Sequence, residues 1–180
     1  MKNIKSLILL SLILINNLYS VENNVMSVKS GKVVFISTTN KLSFKGVGKS
    51  VTGKINFKDM SISIQVDLED LRTGIKNRDD HMKENYLETH KYPMAVFLGS
   101  ISKYNKSTGD AEALGTLSIH GVEKKNFKLL GKVKEDSGSL FLNSNFRITL
   151  REFNIEIPKL VILELSNDID IEIDLEFVNN

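Results

Sequence analysis

Gly115-Thr-Leu-Ser-Ile-His-Gly-Val-Glu-Lys-Lys-Asn-Phe-Lys-Leu-Leu-Gly131 is the stretch from which the fold of this chain is read. Leu117 and Ile119 alternate with Thr116 and Ser118, the period of a strand with one buried face. His120-Gly121 breaks the alternation, and glycine readily takes the positive φ that a tight hairpin turn needs. Phe127, Leu129 and Gly131 then resume it against Lys128 and Lys132. This is a β-hairpin, and most of the chain repeats the device. A sheet of consecutive hairpins with one apolar face covers that face by curling into a barrel. Whether the inside of the barrel is filled or hollow then becomes the functional question.

On the N-terminal side of this hairpin, Val33 to Ser37, Leu42-Ser-Phe44 and Thr52 to Phe57 read as short strands separated by a glycine-rich turn region. In Ser61 to Leu68 the residues Ile62, Ile64, Val66 and Leu68 share one face. Met94 to Leu98 opens another strand, and Asn105 to Asp110 and Asp136 to Ser139 are turn clusters. Leu140, Leu142, Phe146, Ile148 and Leu150 share one parity. Pro158 interrupts the chain beyond that strand, and Val161 to Leu165 is continuously apolar. The closing strand, Asp168 to Phe177, alternates without error, with apolar odd positions and acidic even ones. The expectation is an all-β fold, an antiparallel barrel of about eight strands in a single domain over 21–180.

Glu69 to Tyr92 differs in kind, being dense in charge and without period-2 patterning. Asn77 is placed to cap a short helix, with Asp79 and Asp80 in its first turn and Met82, Tyr86 and Leu87 on one face. Pro93 stops it. The segment reads as one short helical insert lying across an end of the barrel.

At 180 residues, 41% hydrophobic and 26% charged, the chain has the composition of an ordinary globular protein. It has no cysteine, so its core holds by packing alone. Met1 to Lys5 is a short basic start, Ser6 to Ile15 is apolar, and Ser20 is a small residue before Val21. That order is the layout of a secretory signal over 1–20, too short for a membrane span of roughly 20 apolar residues. Without Lys2 and Lys5 the chain holds 22 basic and 22 acidic residues. The basic balance therefore belongs to the signal, and nucleic acid is not an expected partner.

Residues that could carry chemistry are few. His81, His90 and His120 share no metal-ligand spacing, and no nucleophile elbow or phosphate-cradling loop is present. No catalytic residue, metal or cofactor is expected. Arg78-Asp-Asp-His81 is the one charged knot, and it reads either as helix capping with surface ion pairs or as a polar gate at a pocket mouth. Phe35, Phe44, Phe57, Phe97, Phe127 and Phe146 fit a packed core or a cavity lining, since barrels of about eight strands are either filled or hold one ligand.

The run Leu71 to Met82, ending at Lys91-Tyr92-Pro93 and Phe97, resembles the YceI-like family. So do Gly115 to Lys124 and the segment Phe153 to Pro158 before the acidic-alternating last strand. The resemblance spans nearly all of the chain beyond the signal. It departs at Glu123, where members often have Thr, and at Lys29 and Thr39, where they often carry His. It implies a lipocalin-like antiparallel barrel, exported to the periplasm, that binds a polyisoprenoid, quinone-like or other long-chain lipid without catalysing a reaction. On that reading Phe35, Phe44, Phe57, Phe97, Leu117, Ile119, Phe146, Ile171 and Ile173 line the barrel, and Arg78, Asp79, His81 and Met82 stand at its entrance. Strands of eight to ten residues span about 30 Å, which would suit an extended chain along the axis. No stable membrane anchor is expected once the signal is removed, and a homodimer is left open. The alternative is a side-chain-filled barrel serving as an envelope stress-response or protein-interaction module. A hydrolase would need a nucleophile–base pair that the sequence does not offer.

Overall fold

Alternation fixes which side of each strand turns inward, and in the computed structural model of this protein that side closes on itself. The structure describes residues 24–39, 42–156 and 166–179; the signal, Pro158 and the Val161 to Leu165 run lie outside them. The strands are β1 (Val25–Thr38), β2 (Ser43–Gly48), β3 (Val51–Asn56), β4 (Ser61–Asp67), β5 (Met94–Asn105), β6 (Asp110–Ile119), β7 (Val122–Asp136), β8 (Ser139–Thr149) and β9 (Asp168–Asn179). All pairings are antiparallel, each strand from β3 onward pairs with the next, and β9 returns to β1 over Met26 to Ser37.

Nine segments make an eight-stranded cylinder because β2 and β3 are two halves of one strand. Both pair with β1, β2 along Val33 to Thr38 and β3 along Val25 to Ser27. The break falls at Lys49-Ser50, whose N–H groups donate to Asp70 Oδ2 at 2.5 and 2.8 Å. A carboxylate thus takes the two donors that the interrupted ladder leaves over.

Three bulges mark where parity fails, one of them in β5 between Ile101 and Lys103. In β1 the register shifts between Val28 and Ser30, so Met26 points inward before it and Val33 and Ser37 after it. In the β6–β7 hairpin the shift lies between Gly115 and Leu117, opposite Asn126, which takes φ 56°. His120 and Gly121 form the two-residue turn, at φ 52° and 73°. At Gly115 a side chain would run into the Leu98 carbonyl and the Gly99 Cα, so β5 and β6 approach each other over two glycines.

The insert between β4 and β5 begins with a 3₁₀ turn, Leu68–Asp70, and continues as α1 (Lys76–His81) and one π turn, Met82–Tyr86. Asn77 does not cap α1. Ile75 is the N-cap, without a side-chain bond, and Asn77 already lies within the first turn. Among the described residues no helix is long and apolar enough to cross a membrane.

Candidate functional site

The barrel is filled at one end and hollow at the other. The end with the turns 57–60, 106–109 and 137–138 is packed by Ile55, Ile62, Leu140, Leu175 and Phe177, the last wholly buried. None of these five borders the cavity of about 680 Å³ that occupies the other end. Along β9 Ile169, Ile171 and Ile173 line the cavity, whereas Leu175 and Phe177 do not. On β4 the limit falls between Ile62 and Ile64, and on β1 between Gly31 and Val33. Three alternate residues cover four strand rises, about 13 Å. The 30 Å axial tunnel expected from strand length is therefore absent, because the lower half holds side chains large enough to meet across the lumen.

The insert forms one side of the mouth. Leu68, Leu71 and Met82 make a small buried cluster with Phe35, Tyr86, Leu87 and Ala95 packed against it. Met82, Tyr86 and Leu87 all face the cavity, in keeping with their helical spacing. Burial raises the Tyr86 hydroxyl above its usual range. Beside the insert, on the paired strands β1 and β2, Phe44 meets Phe35 edge-on, with centroids 6.2 Å apart, and the Arg78 guanidinium lies 4.6 Å from the Phe44 ring centroid. Arg78 forms no ion pair with any described residue.

At its far end the insert is held by His120. The ring nitrogens lie 3.1 Å from the Phe153 carbonyl oxygen and 3.0 Å from Glu88 Oε2, and the ring packs edge-on against Tyr92. Glu88 also pairs with Lys91. Hydrogen bonds from Lys91 and then His120 hold the Glu88 carboxyl below its ordinary range. The hairpin that identifies the fold is thus the buckle that keeps the insert on the barrel.

Of the residues expected to line the barrel, Phe35, Phe44, Phe97, Leu117, Ile119, Phe146, Ile171 and Ile173 border the cavity, and so do Arg78, His81 and Met82 at the mouth. Two placements differ. Phe57 packs against the core just beyond β3, at the filled end, and does not reach the cavity. Asp79 is 7% exposed and turns away, its Oδ1 accepting from the Thr73 N–H at 2.7 Å and the Thr73 hydroxyl at 2.6 Å. Burial pushes the Asp79 carboxyl up, but the Thr73 bonds and the Arg72 and Lys83 charges outweigh it and hold the group below its ordinary range.

Further lining residues escape a reading of the sequence. Ile64, Val66, Ile148, Leu150 and Ile169 follow from strand parity once the cavity end is known. Leu42, Leu71, Ile75 and Ile155 lie outside strands, where no period marks them. A second concavity, of about 870 Å³, opens on the wall around Tyr104, Lys132, Phe141 and Asp174. It is the larger but the more open and more polar of the two, and Lys132 and Asp174 are each in ion pairs there. Among the described residues no three His, Asp or Glu side chains come together as a metal site would require.

The family model of the YceI-like domain matches residues 19–177. Among solved structures, a polyisoprenoid binding domain from Saccharophagus degradans, implicated in plant cell wall breakdown, superposes with a TM-score of 0.72 at 17% identity. That match covers 86% of this chain and 98% of the other. Burkholderia cenocepacia BcnA gives a TM-score of 0.69 at 17% identity, covering 81% of this chain and 95% of BcnA. The Campylobacter jejuni YCEI protein gives 0.60 at 19% identity, covering 77% and 86%. At these identities the likeness is one of fold. No curated protein matches the sequence significantly.

Proposed function

This chain belongs to the YceI-like family, and from that premise we propose that it is a non-catalytic carrier of a long-chain lipid, isoprenoid or acyl, working in the periplasm after export. The observation that carries this reading is the cavity: about 680 Å³, walled by aliphatic and aromatic side chains, inside a barrel whose other half is packed solid. Its volume falls within the roughly 300–1,000 Å³ of small-molecule sites. A barrel serving only as a scaffold would have no reason to leave half its lumen open, since dry voids cost packing. The neighbour from Saccharophagus degradans, described as polyisoprenoid binding, supports the ligand class.

Chain and head group divide between two regions. The ~13 Å of lining along β9 takes the apolar tail, and a longer chain bends inside or extends through the mouth. A dozen methylenes at about 0.8 kcal/mol each give roughly 10 kcal/mol before the cost of immobilisation, enough for useful affinity without polar contacts. Arg78, His81 and Asn77 border the cavity at its mouth. An unpaired guanidinium there favours a head group that accepts hydrogen bonds, such as a carboxylate, phosphate or quinone oxygen.

Native mass spectrometry of protein from the periplasmic fraction, purified without detergent, tests both parts. The expected spectrum shows a chain beginning at Val21, plus a mass excess that organic extraction removes as a linear lipid. A retained Met1 in soluble protein would overturn export. A bare mass, with no uptake of added isoprenoids or fatty acids, would overturn lipid binding.

A further inference from the structure

Six large hydrophobic side chains are strongly exposed among the described residues, and two of them, Leu42 at 40% and Ile75 at 53%, also line the cavity. They come from two different elements. Leu42 immediately precedes β2, and Ile75 is the N-cap of α1. The stack of Arg78 on Phe44 joins these two elements. A single exposed leucine on a soluble surface calls for no explanation. Two on the lip of an apolar cavity form a patch continuous with its lining, and such continuity marks a contact surface.

We propose that this lip docks on a phospholipid bilayer, with Leu42 and Ile75 entering the interfacial layer, and that the cavity loads and releases its chain there. The proposal rests on the reading of the cavity as a lipid site. Its first support is solubility. The dissolved concentration of a long chain falls roughly tenfold for every two methylenes, so free lipid in water is too scarce to load a carrier. A bilayer is the reservoir, and a lip seated on it lets the chain pass without crossing water. The second support is charge. Arg78 at the mouth and Lys45 on β2 pair with no described carboxylate, and the Lys76 side chain beside Ile75 is 84% exposed, though bonded to Asp80. Such cations complement anionic head groups.

The molecule supplies its own control. Leu98 and Leu130 are as exposed as Ile75 but sit on β5 and β7, and neither borders the cavity. The test is flotation with vesicles of phosphatidylethanolamine and phosphatidylglycerol, after cleavage of residues 1–20, which leaves every described strand intact. Wild type is compared with Leu42→Ser/Ile75→Ser and with Leu98→Ser/Leu130→Ser. The lip variant is expected to lose at least fivefold in vesicle-bound fraction and in the rate of taking cis-parinaric acid from vesicles. The wall variant stays within twofold of wild type. Leu42 and Ile75 also line the cavity, so each variant's uptake of the same acid from solution is measured beside it. The lip variant's loss from vesicles is expected to exceed its loss from solution at least fivefold, and thermal melting reports an intact barrel. A lip variant that floats like wild type, or a loss confined to the wall variant, overturns the proposal. Wild type that fills from solution but never floats refutes docking alone, and wild type that does not fill from solution refutes the lipid reading beneath it.

Discussion

Asp79 follows Arg78 on α1, yet its carboxylate turns back to Thr73 while the guanidinium lies over Phe44 at the mouth. Asp79 ties α1 back to Thr73 without capping it or joining a surface ion pair, and Arg78 borders the cavity beside Phe44. Replacing Asp79 by Ala strands the Thr73 N–H and hydroxyl and is expected to cost about 1–3 kcal/mol of stability at neutral pH. Because the folded carboxyl is held below its ordinary range, the unfolded chain binds the extra proton first on acidification. The contribution of Asp79 is complete above the ordinary carboxylate range and lost as pH falls below about 4 through the folded value. Melting curves of wild type and Asp79→Ala should accordingly converge as pH drops from 7 to 3. Arg78→Ala should cost at most about 1 kcal/mol of stability, the stack on Phe44, with no dependence on pH between 7 and 3. It should weaken lipid retention by about 1–2 kcal/mol, some five- to thirtyfold. A loss of stability at Arg78 that matched the loss at Asp79 in size and pH dependence would overturn this division.

The strands are legible in the sequence because each carries its own two-residue period, and β9 is the clearest. Every odd position from Ile169 to Phe177 turns inward, with Ile173 at 7% exposure. A charge at Ile173 should cost about 3 kcal/mol or more, whereas Glu172→Ser on the solvent face should stay within about 0.5 kcal/mol. Equal chemical denaturation midpoints for Ile173→Asp and Glu172→Ser would break the face assignment. Asp170 is a less neutral position than its parity suggests, since Arg147 grips both its oxygens at 2.7 and 3.1 Å. Cross-strand partners of that kind lie 23 residues apart and leave no local signature. The bulges at Ser30 and Asn126 are illegible for a related reason: a one-residue slip looks like noise until the partner strand is known. Lack of alternation marks the insert, but residue type misplaces its cap, because Ile75 is not a capping residue type and Asn77 is. Residue type likewise puts Phe57 in the lining, whereas height along the barrel decides who meets the cavity. That height depends on where the opposing strands place their large side chains, which no single strand encodes.

At the scale of the whole molecule, the half-filled lumen decides what the barrel can hold. Ile55, Leu175 and Phe177 act as a floor, and the insert with its His120 buckle acts as a roof open on one side. Leu117 is buried at 6% on β6, borders the cavity, and lies one inward position below Ile119, clear of the packed floor. Leu117→Trp puts a rigid ring into open space rather than into packed side chains, so it escapes the usual cost of overpacking a core. It also gains apolar contact, and its indole N–H can meet a head group or water at the mouth side. The melting temperature should therefore stay near that of wild type, while the longest bound chains disappear from the native mass spectrum and any residual adduct shifts to shorter ones. The same substitution at Ala113, which is buried but does not border the cavity, has no space to enter and should unfold the protein. Tolerance at position 117 with intolerance at 113, together with loss of the long-chain adduct at 117, is the pattern that a floor and a hollow chamber require. If both substitutions destabilise alike, the chamber is closed in solution; if 117 is tolerated and the adduct is unchanged, the lipid lies elsewhere.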